Sequence, residues 1–431
     1  MSISIVGLVG IVLLVFLFLK VPVFISILAG SVTYFILTPR VPQLIIAQRL
    51  VAGVESIPLL AIPFFVCAGV FMNHSGVTQR IMEFCGVLTG RMTGGLAQVN
   101  ILLSTLMGGL SGSNLADAAM EAKMLVPEME KKGFSKEFSS VVTATSAMIT
   151  PLIPPGIGMI LYGSIANVSI GKLFVAGLSV GAMLCVALMI LVHFMSKKRG
   201  YKPLHDERIK INEFLKALKG AILPLCLPVI IIGGIRIGIF TPTEAGSVAI
   251  IYSLILGIVY KELTMKKFLD GIKETVITTS SIMLIVGAAS ALSWVLTKER
   301  VPQQLTDFIV EVINNKYMFL IIVNVFLIIV GMFIEGNAIT IILVPLLAPI
   351  ALKLNIDPIH FAMIFIFNVS IGTLSPPMGT LMFVTCGVTK CKIKNFIKEA
   401  VPFYILLLIV LGLLTFIPQF STALVNMLYY R

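Results

Sequence analysis

Two short stretches combine residue types seldom found together inside an apolar segment: LIPPGIGMI at 152–160 and LSPPMGTLM at 374–382. Tandem prolines remove two backbone donors and disfavour helix in the residue before them. Each stretch therefore frees carbonyl oxygens at the end of one helix and opens a second helix whose first N–H groups lack intrahelical partners. Freed carbonyls suit a hard cation, and helix N-termini suit an anion. Two polar turns between apolar arms, SGSN at 111–114 and EGN at 335–337, add hydroxyl, carboxamide and carboxylate oxygens of the same hard character.

The elements carrying these groups are dictated by composition. Of 431 residues, 58% are hydrophobic and only 12% charged, and the mean hydropathy is +1.05. The medium is lipid, and the chain is an all-α polytopic membrane protein. The net charge of +12 sits in short basic clusters between apolar runs, the pattern of topology signals and not of a nucleic-acid surface. Six cysteines, Cys67, Cys85, Cys185, Cys226, Cys386 and Cys391, form no CxxC pair and read as small core residues.

Placing basic clusters inside fixes an expected topology. The run 3–19 is a retained span with its N-terminus outside and Lys20 inside, and 21–37 returns to an amphipathic stretch with Arg40 and Arg49, an interfacial arm. The run 57–72 goes inward. Between Arg91 and Lys131 the arms 95–110 and 114–129 form a re-entrant hairpin from the cytoplasm, because irregular backbone at membrane depth must be enclosed by protein. The segment 138–167 crosses through the first Pro-Pro break, 173–195 returns to Lys197, Lys198, Arg199 and Lys202, and 221–239 and 243–260 follow. After 275–296, a hairpin from outside, 317–354, precedes the broken crossing 359–388. Lys390 to Lys398 lies inside, and 402–417 leaves the C-terminus outside.

Sliding the chain along itself aligns the two breaks at the spacing of Pro155 and Pro377, 222 positions. At that spacing Pro127 meets Pro349, Leu152 meets Leu374, Gly109 meets Gly331 and Ser113 meets Glu335. The fold expected is one of inverted repeats with two re-entrant hairpins and two broken helices, the arrangement that gives a transporter a midplane site open alternately to each side. The whole is a single membrane unit, 1–431, divided into scaffold and arm helices (1–92), a first repeat (93–195), a cytoplasmic loop with linking spans (196–274) and a second repeat (275–418).

Four motifs in order, GGLSGSNLADAAM, PLIPPGIGMILYG, GIFTPTEAGSVAI and GTLSPPMGTLMFVTCGV, resemble the large membrane subunit of tripartite ATP-independent periplasmic (TRAP) transporters, the type found in C4-dicarboxylate and sialic acid systems. The resemblance covers essentially the whole chain. It implies a sodium-driven, elevator-type secondary transporter in the bacterial inner membrane. Its partners would be a small four-helix membrane subunit, expected as a separate chain because no such segment precedes the first span, and a periplasmic substrate-binding protein. No cofactor is implied beyond sodium as coupling ion.

With sodium as the cation, the first site expected pairs Ser111, Gly112, Ser113 and Asn114 with Pro154, Pro155 and Gly156. The second pairs Glu335, Gly336 and Asn337 with Ser375, Pro376, Pro377 and Gly379. The resemblance supports pairing tip with break, and the residue choices follow ligand chemistry. Glu335 is read first as a sodium ligand, then as a pH-sensitive group or helix cap. Thr145, Ser146, Thr150, Asn368, Ser370, Thr373 and Thr380 are the expected substrate contacts, since no Lys or Arg lies at either break. Asp117 and Glu121, four apart on one helix face, are expected as solvated charges or partners of Lys123, with a cavity-facing role as the alternative. Glu244 should act structurally in a helix first turn.

Three other functions compete. A stand-alone sodium/carboxylate symporter would share the fold without partner proteins. A membrane enzyme lacks support, because His74, His193, His205 and His360 are scattered and no HExxH occurs. An open channel does not need inverted hairpins around a midplane site.

Overall fold

The computed structural model describes residues 5–19, 21–204, 210–313 and 315–429. Lys20 and His205 lie outside the described residues. Among the described residues there are helices and no strands. The helices are α1 (Ile5–Phe18), α2 (Val23–Leu37), α3 (Leu44–Val54), α4 (Ala61–His74), α5 (Val77–Thr89), α6 (Gly95–Ser111), α7 (Asn114–Lys131), α8 (Lys136–Ser146), α9 (Ile157–Ala166) and α10 (Ile170–Arg199). The second half contains α11 (Ile211–Ile237), α12 (Pro242–Val259), α13 (Met265–Lys298), α14 (Val301–Val312), α15 (Lys316–Gly331), α16 (Gly336–Lys353), α17 (Pro358–Leu374), α18 (Thr380–Thr389), α19 (Ile393–Phe416) and α20 (Gln419–Tyr429). Short 3₁₀ turns at Ile57–Leu60 and Ala147–Leu152 lead into α4 and the first break.

Local chemistry sets many of these boundaries. Ser135, Ser169, Thr241, Thr264 and Asp357 cap the helices they precede through side-chain oxygens, each satisfying an N–H that would otherwise be orphaned. Lys197, Lys198 and Arg199 occupy the last turn of α10 before a left-handed Gly200, where cations complement the helix C-terminus. At α12, Thr241 and Glu244 form a reciprocal capping box: the Thr241 N–H donates to Glu244 Oε2 at 2.7 Å, and the Glu244 N–H to Thr241 Oγ1 at 3.3 Å. Glu244 is thus engaged at the start of its helix.

Helix boundaries carry the 222-position spacing with little slippage. Asn114–Lys131 falls on Gly336–Lys353, the α8 run through Leu152 falls on Pro358–Leu374, and Ile157–Ala166 lies one residue from Thr380–Thr389. The correspondence extends beyond the hairpins: α1 and α2 match α11 and α12, α3 with α4 matches the single long α13, and α5 matches α14. The expected boundary at 274/275 cuts through α13, which runs unbroken from Met265 to Lys298; Ser280 stands where the first half has Pro58, so nothing interrupts that helix. The boundary at 195/196 likewise falls within α10.

Side chains tie the two halves together. Arg199 Nη2 on α10 meets Glu399 Oε1 on α19 at 2.7 Å, Ser140 Oγ on α8 donates to Thr389 Oγ1 on α18 at 3.0 Å, and Tyr162 on α9 packs edge-on against Phe365 on α17. On the other side, α13 packs with α2, α3 and α4, and α12 with α4. These helices form the wall against which the hairpins lie.

Candidate functional site

Both hairpin tips and the helices restarting after both breaks line one cavity of about 630 Å³. Four helices begin at its surface: α7 contributes Asn114 and Leu115, α9 Ile157 and Gly158, α16 Gly336 and Asn337, and α18 Thr380. Helix N-termini carry partial positive charge from N–H groups without intrahelical acceptors. Among the described residues that line the cavity, the ionisable ones are Glu274 and Glu335, and none is Lys or Arg.

The tips are built alike. Gly112 ends α6 with φ +66°, a left-handed conformation that favours glycine, and a Cβ there would come within 3.0 Å of the Pro155 carbonyl oxygen. Tip and break are therefore in direct contact in the first repeat. Ser113 Oγ caps α7 by accepting the Ala116 N–H at 3.4 Å, and Glu335 Oε2, at the matching position, accepts the Ala338 N–H at 3.2 Å. The carboxylate thus occupies the cap place that the hydroxyl holds in the other half.

Behind the tips, equivalent residues brace the first segment of each broken helix. Ser146 lies 2.8 Å from Ser104 Oγ and 3.3 Å from Asn100 Oδ1. Its counterpart Asn368 donates to Asn324 Oδ1 at 2.6 Å, and Asn324 donates on to Thr415 Oγ1 at 2.9 Å. Such pairs relieve polar groups in an apolar surrounding.

Asp117 and Glu121 correct the expectation of solvated or Lys123-paired charges. Both are completely buried, while Lys123 is exposed. Asp117 Oδ2 accepts from Ser111 Oγ at 2.6 Å and from Thr150 Oγ1 at 2.8 Å, and Glu121 Oε2 accepts from Ser104 Oγ at 2.5 Å. Asp117 thereby links the tip to the 3₁₀ turn before the break. The Ser113 N–H donates in turn to Ser111 Oγ at 3.4 Å.

The expected site residues divide into two groups. Ser111, Gly112, Ser113, Asn114, Glu335, Gly336, Asn337, Ser370, Thr373 and Thr380 all line the cavity. Pro154, Pro155 and Gly156 are buried behind the tip, with Pro151 and Ile157 on the lining in their place. Ser375, Pro376, Pro377 and Gly379 are also off the lining; Pro377 is exposed, and Ser375 Oγ donates to the Ile371 carbonyl at 2.8 Å. Thr145, Ser146, Thr150 and Asn368 do not reach the cavity. Thr145 donates to the Val141 carbonyl at 2.7 Å, and the other three belong to the bracing networks just described.

Sequence reasoning missed the opposite wall. Asn73 at the end of α4 and Glu274, Thr278 and Ser281 on α13 line the cavity, and His74 Nε2 lies 3.4 Å from Glu274 Oε2. The available signal was the spacing 274, 278, 281, one face of a long apolar helix.

Paired hairpins, paired broken helices and a shared cavity in a multi-pass all-helical chain define a secondary transporter of the inverted-repeat class. The DctM-component model of tripartite ATP-independent periplasmic transporters matches residues 10–420, and the chain belongs to that family. It is 40% identical to the sialic acid TRAP transporter large permease protein SiaM of Vibrio cholerae, over 94% of this chain and 95% of that one. It is 35% identical to the C4-dicarboxylate TRAP transporter large permease protein DctM of Pseudomonas aeruginosa, over 93% of each. The 2,3-diketo-L-gulonate TRAP transporter large permease protein YiaN of Escherichia coli is 36% identical over 87% of this chain and 88% of that one. Among solved structures, the YdaH transporter of Alcanivorax borkumensis shares the fold, with a TM-score of 0.54 at 14% identity over 87% of this chain and 88% of that one. The protein is a transporter permease subunit and not an enzyme.

Proposed function

We propose that this chain imports an organic acid across the bacterial inner membrane, coupled to sodium entry and fed by a periplasmic binding protein, with a small membrane subunit beside it. The observation that carries the reading is the convergence of four helix N-termini on a cavity lined by no Lys or Arg among the described residues. Backbone dipoles then supply the field that holds a carboxylate. Sodium adds the missing positive charge, held by tip and break oxygens: Ser111, Ser113 and Asn114 with the Pro155 carbonyl in the first half, and Glu335 and Asn337 with carbonyls of the second break.

Transport follows by an elevator step in this reading, with the hairpins and broken helices moving as one body along α2, α4, α12 and α13. The cross-half contacts Arg199–Glu399 and Ser140–Thr389 support a shared body. Basic clusters at Lys197–Lys202, Lys261–Lys273 and Lys390–Lys398 face the cytoplasm, and both termini face the periplasm.

Uptake of labelled sialic acid and succinate into proteoliposomes tests this, with and without an inward sodium gradient and a cognate-type binding protein. Uptake requiring both supports the tripartite reading. Sodium-driven uptake without the binding protein would make the chain a stand-alone symporter, and sodium-independent uptake would remove the coupling.

A further inference from the structure

The last carbonyls of α6, before Gly112, have no intrahelical donors. Two of them, at Leu110 and Ser111, turn toward α4 in the wall and rest on Gly69, which also lines the cavity. A Cβ on Gly69 would lie 3.1 Å from the Leu110 oxygen and 2.6 Å from the Ser111 oxygen. The hydrogen that glycine carries in place of a side chain therefore points at both, as a weak donor. On its other face the end of α6 already meets the break: a Cβ on Gly108 would lie 2.8 Å from Thr150 Cα, and one on Gly109 would lie 3.2 Å from the Pro154 oxygen. The first tip is thus held with backbone on both sides. The second half does not repeat this seat. At the 222-position spacing Gly69 is matched by Ala291 and Ser111 by Phe333, and the Phe333 ring lies edge-on to Phe18 of α1, centres 6.1 Å apart.

A methyl on Gly69 would meet backbone, which yields less readily than the far end of a flexible side chain. An empty tip can relax away from α4. A tip whose Ser113 and Asn114 oxygens share a cation with the Pro155 carbonyl cannot do so without lengthening a ligand distance, so the cost of the methyl falls on the cation-bound form. We infer that Gly69 is a positioning residue on the scaffold, which seats the first tip against its break through the Leu110 and Ser111 carbonyls and thereby sets the sodium affinity of the first half. This rests on the proposal that tip and break oxygens hold sodium. Gly69 itself supplies no ligand; it acts through the tip.

The test is thermal unfolding of the full chain in lipid nanodiscs, with sodium replacing choline at constant ionic strength, read as the sodium concentration that gives half of the stabilisation. Gly69→Ala should raise that concentration about tenfold, the scale of one methyl forced into a closed contact. Gly233→Ala on α11, where nothing lies within 4 Å of the added Cβ, should leave it unchanged. An unchanged sodium requirement in Gly69→Ala overturns the inference whatever its melting temperature in choline, because a packing contact alone lowers stability equally with and without sodium. Equal rises in Gly69→Ala and Gly233→Ala overturn it as well. Should Gly69→Ala not fold, Gly246→Ala on α12 decides by the same outcomes. Its Cβ would come within 2.8 Å of Phe64 Cβ, five residues from Gly69 and on the other side of α4, and so presses α4 toward the tip. If sodium does not stabilise the native chain, the cation reading itself fails and the inference with it; if sodium stabilises it and only the Gly69 effect is missing, the cation reading stands.

Discussion

Gly331 and Gly372 meet backbone to backbone where α15 crosses α17. A Cβ on Gly331 would lie 2.8 Å from Gly372 Cα, and one on Gly372 would lie 2.5 Å from Gly331 Cα. Their counterparts at the 222-position spacing, Gly109 and Thr150, belong to the matching crossing of α6 over the turn before the first break. The crossing holds each tip against its break.

Gly372→Ala should therefore lower stability, although alanine is the better helix former. Forcing a methyl into this contact costs about 1–3 kcal/mol. Gly412→Ala in α19, where nothing lies within 4 Å of the added Cβ, should gain up to about 1 kcal/mol from helix propensity. Thermal unfolding of the two variants in nanodiscs makes the comparison, and equal melting temperatures would mean that the crossing yields without cost.

Asp117 is expected to matter to sodium through Ser111. Its carboxylate accepts the Ser111 hydroxyl proton, which leaves the Ser111 oxygen facing the tip, where it accepts the Ser113 N–H. Asp117→Ala leaves the Ser111 and Thr150 hydroxyls without their acceptor, at about 1–3 kcal/mol, and should raise the sodium concentration that half-saturates uptake. Asp117→Asn keeps an acceptor and should fall between Ala and the native residue. An unchanged sodium dependence in both would reduce Asp117 to a packing role.

The paired hairpins and breaks were legible because they rest on backbone chemistry: tandem prolines, tip glycines and the recurrence at 222 positions survive in the residue types. Burial was less legible. Asp117 and Glu121 were placed correctly on one face of α7, but residue spacing does not say whether that face meets water or Ser104, Ser111 and Thr150. The amphipathic α5, α14 and α20 escaped a search tuned to apolar runs of spanning length, and with them the extent of the repeat into the scaffold. Asn73 and Glu274 lie outside any motif, and only the packing of α4 against α13 brings them to the same cavity. Thr145, Ser146, Thr150 and Asn368 were placed beside the breaks correctly, yet their hydrogen bonds turn them into the bracing behind the site.

Ser113→Ala, Asn114→Ala and Asn337→Ala probe the tips directly. Each removes one hard oxygen from the cavity lining, and for Ser113 also the cap on α7, worth about 1 kcal/mol. All three should raise the sodium requirement of uptake. Melting temperature separates the Ser113 cap from ligation, because a pure cap loss lowers stability equally with and without sodium. Normal sodium dependence in all three variants would defeat the pairing of tips with breaks as cation sites.

Arg199 and Glu399 test whether the two halves travel together. The pair spans α10 and α19 at 2.7 Å, with Glu399 only 17% exposed, and the Arg199 guanidinium also lies 5.1 Å from the centre of the Phe138 ring on α8. Glu399→Ala should cost up to about 1 kcal/mol, the range for partly exposed ion pairs, and a double-mutant cycle with Arg199→Ala isolates the shared part. If the hairpins and broken helices form one moving body, the contact stays closed in every state. A short thiol-reactive cross-link between Arg199→Cys and Glu399→Cys, with Cys67 and Cys226 replaced by Ser, should then leave uptake intact. Loss of uptake on cross-linking, restored by cleaving the linker, would place a moving joint between α10 and α19 and rule out the single-body step.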